Sequence, residues 1–159
     1  MVNADRAIRH KCTPATAIVL ALAAVAHALG WLLPVIEDYR GWQAFRVAFS
    51  PVWPYESFEI DSGGLLVLSV ASALTNAVFL VLWVALITGF ASTLRRAKTL
   101  VFVAAALTLL DLHWPLSTRG APITLESGYF VWVGSFAALA LAAFLEVRAA
   151  RRRALRSPA

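Results

Sequence analysis

Four long apolar stretches, at about residues 15–36, 65–90, 100–116 and 129–145, fill more than half of this chain. Its basic residues gather on one side of them. A bilayer's hydrocarbon core is about 30 Å thick and takes roughly 20 apolar helical residues. Stretches of this kind predict an all-α integral membrane protein, a four-helix bundle that crosses the bilayer four times. Of the 159 residues, 60% are hydrophobic, against about 45–50% in soluble domains. Four spans leave little over for a separate soluble unit, so residues 1–159 read as a single membrane domain.

Net charge is +5. In a soluble protein that balance points to nucleic acid. Here the membrane accounts for it, because the basic residues stand beside the helix ends. Arg6, Arg9 and Lys11 precede the first stretch, Arg95, Arg96 and Lys98 lie between the second and third, and Arg148, Arg151, Arg152, Arg153 and Arg156 follow the fourth. These are eleven of the fourteen Lys and Arg residues; only Arg40, Arg46 and Arg119 fall on the other side. The positive-inside rule then puts both termini in the cytoplasm. The first stretch follows a basic segment as a signal peptide's does, but it exceeds the roughly 7–15 apolar residues of such a segment. It is expected to be retained as a span. The single cysteine, Cys12, excludes an intrachain disulfide and a CxxC redox motif.

Local signals mark the helix ends. Thr13-Pro14 reads as an N-cap followed by proline in the first turn. Gly63 and Gly64 are expected to break the chain before the second span, with Ser62 as its cap. Pro115 is expected to stop the third, and Glu126-Ser127-Gly128 to start the fourth. The short connection 91–99 predicts an antiparallel hairpin of the second and third spans. Small residues recur at i, i+4 spacing: Gly134, Ala138 and Ala142; Ser69, Ala73 and Ala77; Ala17 and Ala21; Ala24 and Ala28. Such rows let helix backbones approach closely in lipid, either within the bundle or against another protein's helices.

The first outer loop, 38–62, holds seven aromatic residues, among them Trp42, Phe45, Phe49, Trp53 and Tyr55. Trp42, Phe45 and Phe49 recur at helical spacing, which suits a short helix in the outer interface with its apolar side toward lipid. Pro51 and Pro54 force a turning stretch after it, and Glu56, Glu59 and Asp61 follow as an acidic patch. The loop reads either as a cap over the outer end of the bundle or, through Trp42, Phe45, Phe49, Trp53 and Tyr55, as a docking surface for a partner. Aromatics are what interface cores favour.

Three polar residues are expected at depth: His27, Asn76 and Asp111. Ionisable residues inside a span are costly and usually have a role. All three are predicted to share one layer in the outer half of the bundle. The layer reads first as a structural hydrogen-bond cluster, with Asp111 paired to His27 or reaching toward Arg119. The alternatives are a proton or ion relay in a small transporter, and a haem or metal site using His27 and His113. His113 sits two residues from Asp111, on nearly the opposite side of one helix, and no cofactor or metal is assigned. A Gly-rich phosphate loop, HExxH, GxSxG and clustered cysteines are all absent from the sequence, so no catalytic motif is present. The basic tail lacks interleaved aromatics for base stacking. Arg148, Arg151, Arg152 and Arg153 are expected to touch anionic lipid headgroups.

The segments Gly128-Tyr129-Phe130-Val131-Trp132 with Ser135, Gly41-Trp42-Gln43-Ala44-Phe45 and Leu74-Thr75-Asn76 resemble a pattern in short uncharacterised bacterial membrane proteins. That resemblance implies four spans and a bacterial inner membrane, and brings no activity. The layout is also similar to claudin-like tetraspan proteins, whose long first outer loop contains Gly-Trp. Claudins carry a cysteine pair in that loop and this chain has none there, so their function is not carried over.

Together these features predict a small non-catalytic inner-membrane protein. Its expected role is that of an accessory, structural or docking subunit of a larger membrane assembly or a homo-oligomer. A small proton- or ion-coupled transporter is the alternative. The charge distribution generates a direct test of topology. Cysteines engineered at Ser57 and Ser157, beside the native Cys12, should label differently in intact cells. An impermeant thiol reagent should reach position 57 only, and labelling at 157 with protection at 57 would reverse the assignment.

Overall fold

The computed structural model describes residues 12–55, 63–117 and 124–156. The N-terminal Arg6, Arg9 and Lys11, the acidic Glu56, Glu59 and Asp61, Ser62 and Arg119 lie outside the described residues. The chain is all-α apart from one small strand pair. Its elements are α1 (Pro14–Leu32), β1 (Pro34–Ile36), β2 (Tyr39–Arg40), α2 (Gly41–Ala48), α3 (Gly63–Ile87), α4 (Leu94–Asp111), α5 (Trp114–Ser117) and α6 (Ser127–Arg156). A 3-10 turn, Phe90–Ser92, joins α3 to α4.

Among the described residues, three helices are long and apolar enough to cross a membrane: α1, α3 and α6 through Leu155. The third apolar stretch departs from expectation. Its helix, α4, starts at Leu94 rather than Leu100, so Arg95, Arg96 and Lys98 belong to its first turns instead of a loop. Thr93 caps that start by accepting from the Arg96 amide, and the cap fixes where the helix begins. Asp111 is the last residue of α4, and Pro115 sits inside the separate turn α5. Gly63 and Gly64 are likewise the first residues of α3, not a break before it. At the other end α6 runs eleven residues past Leu145, carrying the basic tail on one continuous helix. Thr13 caps α1 as its sequence predicts, accepting from the Thr16 amide with Pro14 in the first turn.

α6 is the axis of the fold, with α1 and α4 packed closely along it. The buried residues of α1 are Thr16, Leu20, Ala23, His27 and Gly30. Their alternating spacing of four and three is the seam of two helices packed side by side. α6 answers with Trp132, Ser135 and Glu146, which meet Gly30, His27 and Thr16 respectively. Every step outward along α1 is matched by an equal step back along α6, so the pair runs antiparallel in one register. A second seam on α6 includes Phe136 and Ala143, and α4 contributes Ala97, Leu100 and Ala104 to the same core. α3 stands further off and reaches this core through large side chains, Phe79, Leu82 and Leu86.

The small-residue rows do not all fall where close packing needs them. Ala17, Ala21, Ala28, Ala77 and Gly134 are exposed, and space around Gly134 is open. The close approach is made by Gly30 instead. A Cβ there would stand 2.6 Å from Trp132 Cβ and 2.9 Å from Trp132 Cα, inside any normal contact. Gly41, the first residue of α2, is pressed on α1 in the same way: a Cβ would lie 2.1 Å from the Gly30 carbonyl oxygen. The outer faces of the helices are as apolar as their seams. Ile18 and Leu22 on α1, Val67 and Val81 on α3, and Phe130 on α6 are all exposed. Contiguous apolar surface on this scale marks contact with lipid or protein.

At the end of the bundle where α1 finishes, termed the outer end as the opposite one is termed the inner, β1 pairs antiparallel with β2 through a tight turn, in which Glu37 takes φ +48°. The chain after residue 123 closes on the same strand: Glu37 donates to the Thr124 carbonyl and Glu126 to that of Val35. This small ladder fastens the connection after α1 to the start of α6. The packing makes two glycines distinguishable. Gly30→Ala should lower unfolding stability in mixed micelles by about 1–3 kcal/mol, the usual penalty for overpacking. Gly134→Ala should leave it unchanged or raise it by up to about 1 kcal/mol, the helix-propensity gain. Equal effects at the two sites would show that the close approach is dispensable.

Candidate functional site

The polar residues at depth sit on the inner faces of α1, α3, α4 and α6. On α3 they are Ser69, Ser72, Thr75 and Asn76, all buried. Ser69, Ser72 and Asn76 follow i, i+3, i+7 spacing, which puts them on one helix face. In lipid such groups must be satisfied by neighbouring helices or by their own backbone, and most of them are.

Their arrangement is a staircase, not the single layer expected. On the outermost step the Asp111 carboxylate, 0% exposed, accepts from Ser72 Oγ at 2.8 Å. Ser72 in turn accepts from Trp114 Nε1 at 3.1 Å. Tyr129 Oη donates to the Asp111 carbonyl at 2.7 Å. This step therefore ties α3, α4 and α6 together. One helical turn further in, Trp132 Nε1 donates to Asn76 Oδ1 at 3.0 Å, while Asn76 Nδ2 donates to the Ala73 carbonyl at 3.0 Å. The third step joins His27 Nδ1 to Ser135 Oγ at 3.1 Å. The His27 ring stacks on Phe79 with centroids 3.9 Å apart, and Phe136 meets it edge-on at 5.7 Å.

The expected pairing of Asp111 with His27 is therefore corrected: Asp111 bonds Ser72, and His27 bonds Ser135. The reason is geometric. Asp111 closes the last turn of α4 at the level of Ser72 and Tyr129. His27 lies two steps lower, where α6 offers Ser135. One oxygen of the Asp111 carboxylate, Oδ2, is buried without a hydrogen-bond partner. His113 takes no part in these hydrogen bonds: it bonds the Leu110 carbonyl and packs on Trp114 beside the outermost step.

A second polar cluster lies at the inner end, and the sequence reading missed it. Glu146 is buried and accepts from Thr16 Oγ1 at 2.8 Å and from the Thr13 amide at 3.1 Å. Arg153 reaches the same carboxylate at 3.7 Å. Placing the end of the fourth stretch at Leu145 left Glu146 among the tail residues. The available signal was a lone acid directly after an apolar run, with two threonines flanking Pro14. Arg153 turns toward Glu146 with its side chain 35% exposed, while Arg148, Arg151 and Arg152 are exposed.

The outer cap is also partly rearranged from expectation. α2 is helical over Gly41–Ala48, with Gln43 accepting from the Arg40 amide. Phe45 does not point to lipid: it packs on Trp31 at 5.3 Å and on Phe49 at 5.8 Å. Trp42 is 42% exposed and Trp53 59% exposed. The Arg46 guanidinium lies over the Trp53 ring at 4.0 Å and the Tyr55 ring at 4.8 Å. This cation–π stack holds the stretch after Pro51 against α2, leaving Tyr55 half-buried.

Compared with protein families, with curated proteins and with solved structures, the chain has no match. Its function is therefore argued from its own geometry. The middle step offers a quantitative check. A double-mutant cycle on Asn76→Ala and Trp132→Phe should give a coupling of about 0.6 kcal/mol, and no more than about 1.7, the range of interhelical hydrogen bonds in membranes. Zero coupling would mean that the two side chains do not hold each other.

Proposed function

We propose that this chain is a four-span inner-membrane protein with both termini cytoplasmic, and that it acts as a non-catalytic accessory subunit docking through its outer cap onto another membrane protein. α4 supplies the fourth span in this reading. It is 18 residues long, about 27 Å at 1.5 Å per residue. It also turns Phe102, 75% exposed, and Leu109, 70% exposed, away from the bundle. Its basic first turn then lies at the cytoplasmic interface with the arginines of α6, where such residues are favoured.

The observation that carries the reading is an apolar belt across the middle of the bundle. The segments 17–26, 77–87, 100–107 and 136–145 contain no ionisable residue. Trp83 alone among them has a polar side-chain group, and its Nε1 is bonded to the Leu20 carbonyl at 3.0 Å. Along α6 the belt separates Ser135 from Glu146, about 16 Å at 1.5 Å per residue. A relay through His27, Asn76 and Asp111 would have to cross that distance with no side chain to carry a proton. The hydrogen bonds of the staircase join helices to one another, which favours a structural part for them.

The cap supplies what a subunit needs at its surface. Trp42, Val52 and Trp53 are exposed at one end, and Arg46 holds the Trp53 ring from one side. Aromatic residues and arginine dominate binding hot spots. A photoreactive amino acid placed at Trp53 should crosslink to one discrete membrane protein in intact cells, and the same probe at Phe102 should crosslink only to lipid. Lipid adducts alone at both positions would defeat the docking reading. A proton-coupled flux in vesicles that Asp111→Asn abolished, with the fold retained, would replace it by the transporter.

A further inference from the structure

Two neighbouring spaces at the outer half of the bundle are not filled by the chain. The first is a cavity of about 270 Å³ beneath α2. Its roof is one face of that helix, Gly41, Ala44, Phe45 and Ala48, at i, i+3, i+4, i+7 spacing. Its floor carries Ser69, Ser72 and Asn76 of α3. The second is a groove of about 570 Å³ between α1 and α3, walled by Ala24 and Ala28 on one side and Ala73 and Ala77 on the other. Trp31, Phe45, Ala73 and Asn76 border both spaces. The cavity and the groove therefore lie side by side, with these four residues at their common border. Drug-sized ligand sites typically measure about 300–1,000 Å³, so the two together are of the right size for a small amphiphile.

The chemistry of the walls narrows the occupant. Neither space is bordered by a lysine or arginine among the described residues, and Glu37 is the one charged residue at the cavity. A phosphate headgroup would find no counter-charge there and a like charge at Glu37. The floor, in contrast, retains capacity for neutral hydrogen bonds. An amide nitrogen carries two hydrogens and a hydroxyl oxygen has two lone pairs. Asn76 Nδ2 gives one hydrogen to the Ala73 carbonyl. Ser69 Oγ donates to the Leu65 carbonyl, and its lone pairs are left to accept. A hydroxyl group, which both donates and accepts, fits between a donor and an acceptor of this kind. Behind it, the groove offers alanine, phenylalanine and tryptophan surface for a hydrocarbon tail.

We infer that the cavity under α2 and the groove between α1 and α3 form a binding site for an uncharged long-chain lipid. Its hydroxyl head is seated by Ser69, which accepts, and Asn76, which donates, and its tail lies between α1 and α3. Bilayer phospholipids are excluded by their charge. A diacylglycerol has the required chemistry, because its free hydroxyl can donate to Ser69 and accept from Asn76.

Three tryptophans at the cavity, Trp31, Trp114 and Trp132, provide the readout. The full-length protein is reconstituted in phosphatidylethanolamine–phosphatidylglycerol vesicles. Dibrominated diacylglycerol or dibrominated phosphatidylglycerol is then added at matched mole fractions. The neutral quencher should act saturably at low mole fraction, and the anionic one only in proportion to its share of the bilayer. Ala28→Phe and Ala77→Phe fill the groove from exposed helix positions, so each keeps its helix. Each should weaken saturable quenching about tenfold, the scale expected when a bulky side chain occupies a site. Unlabelled diacylglycerol should relieve the saturable quenching by displacing the brominated lipid. Equal quenching by the two brominated lipids, or saturable quenching unchanged in both variants, overturns the assignment.

Discussion

The antiparallel contact between α1 and α6 is the constraint on which the rest of the molecule depends. In lipid there is no hydrophobic drive to bring helices together, so close packing and polar contacts must do it. This pair uses both. Gly30 lets the backbones nearly touch at Trp132. Thr16 and Glu146 clamp the inner end, and His27 with Ser135 holds the register between them. A slip of one residue along α6 would take all three contacts out of reach together. The outer end of the bundle inherits this register. Gly41 is seated on the Gly30 carbonyl, so the position of α2, and of the whole aromatic cap, is set by where α1 ends.

Polar groups are distributed along the bundle in a way that follows from the same solvent. They collect toward the two ends and leave the middle apolar. The outer set bonds across α1, α3, α4 and α6, and the inner set bonds α6 to the start of α1. Each hydrogen bond contributes modestly, about 0.6 kcal/mol on average in a membrane. Their directional value is larger than their energy. Apolar seams of Leu, Ala and Val tolerate rotation, whereas a tyrosine hydroxyl must meet the Asp111 carbonyl and a serine the carboxylate. The buried Oδ2 of Asp111 is one exception, and the buried Nε2 of His113 nearby is another. The carboxylate sits at the outermost step, where α4 ends and the chain turns through His113 and Trp114 toward α5.

Much of the fold was legible in the sequence because apolar length and charge asymmetry are strong, local signals. Helical existence, the cap at Thr13 and the start of α6 at Ser127 could all be read from it. The boundaries were harder where two signals competed. Pro115 looked like the stop of the third helix, but Asp111 ends it and the proline lies in a turn of its own. Glu146 looked like part of a solvated tail, because burial of a carboxylate depends on Thr13 and Thr16, some 130 residues away in the chain. The site was legible as a set of residues but not as an arrangement. His27 and Asp111 lie at comparable depths in the apolar stretches read from the sequence, with Asn76 near the middle of its own, yet α4 starts at Leu94 and ends at Asp111, and depth counted along a chain does not fix depth across helices. Ser72, Ser135 and Trp132, which connect them, carry no mark in isolation.

The small residues make the same point about sequence and space. Spacing alone cannot say whether an alanine marks a close contact or a gap. On α1, Ala23 is fully buried in the core with α6, while Ala24, the next residue, faces the groove toward α3. The difference arises from what stands opposite. α6 presents Ser135, Leu139 and Ala142, which allow the backbones to close. α3 presents Phe79 and Trp83, and these rings meet α1 at His27 and at the Leu20 carbonyl. They act as spacers that hold α3 away from α1. Outward of His27 no such large pair bridges the two helices, and Ala28 faces Ala73 and Ala77 across the gap. A gap next to lipid is not stable empty, because its lining would lose contacts on one side. The bulk of Phe79 and Trp83 thus creates the space, and the alanines beyond them keep it open to an occupant from the bilayer.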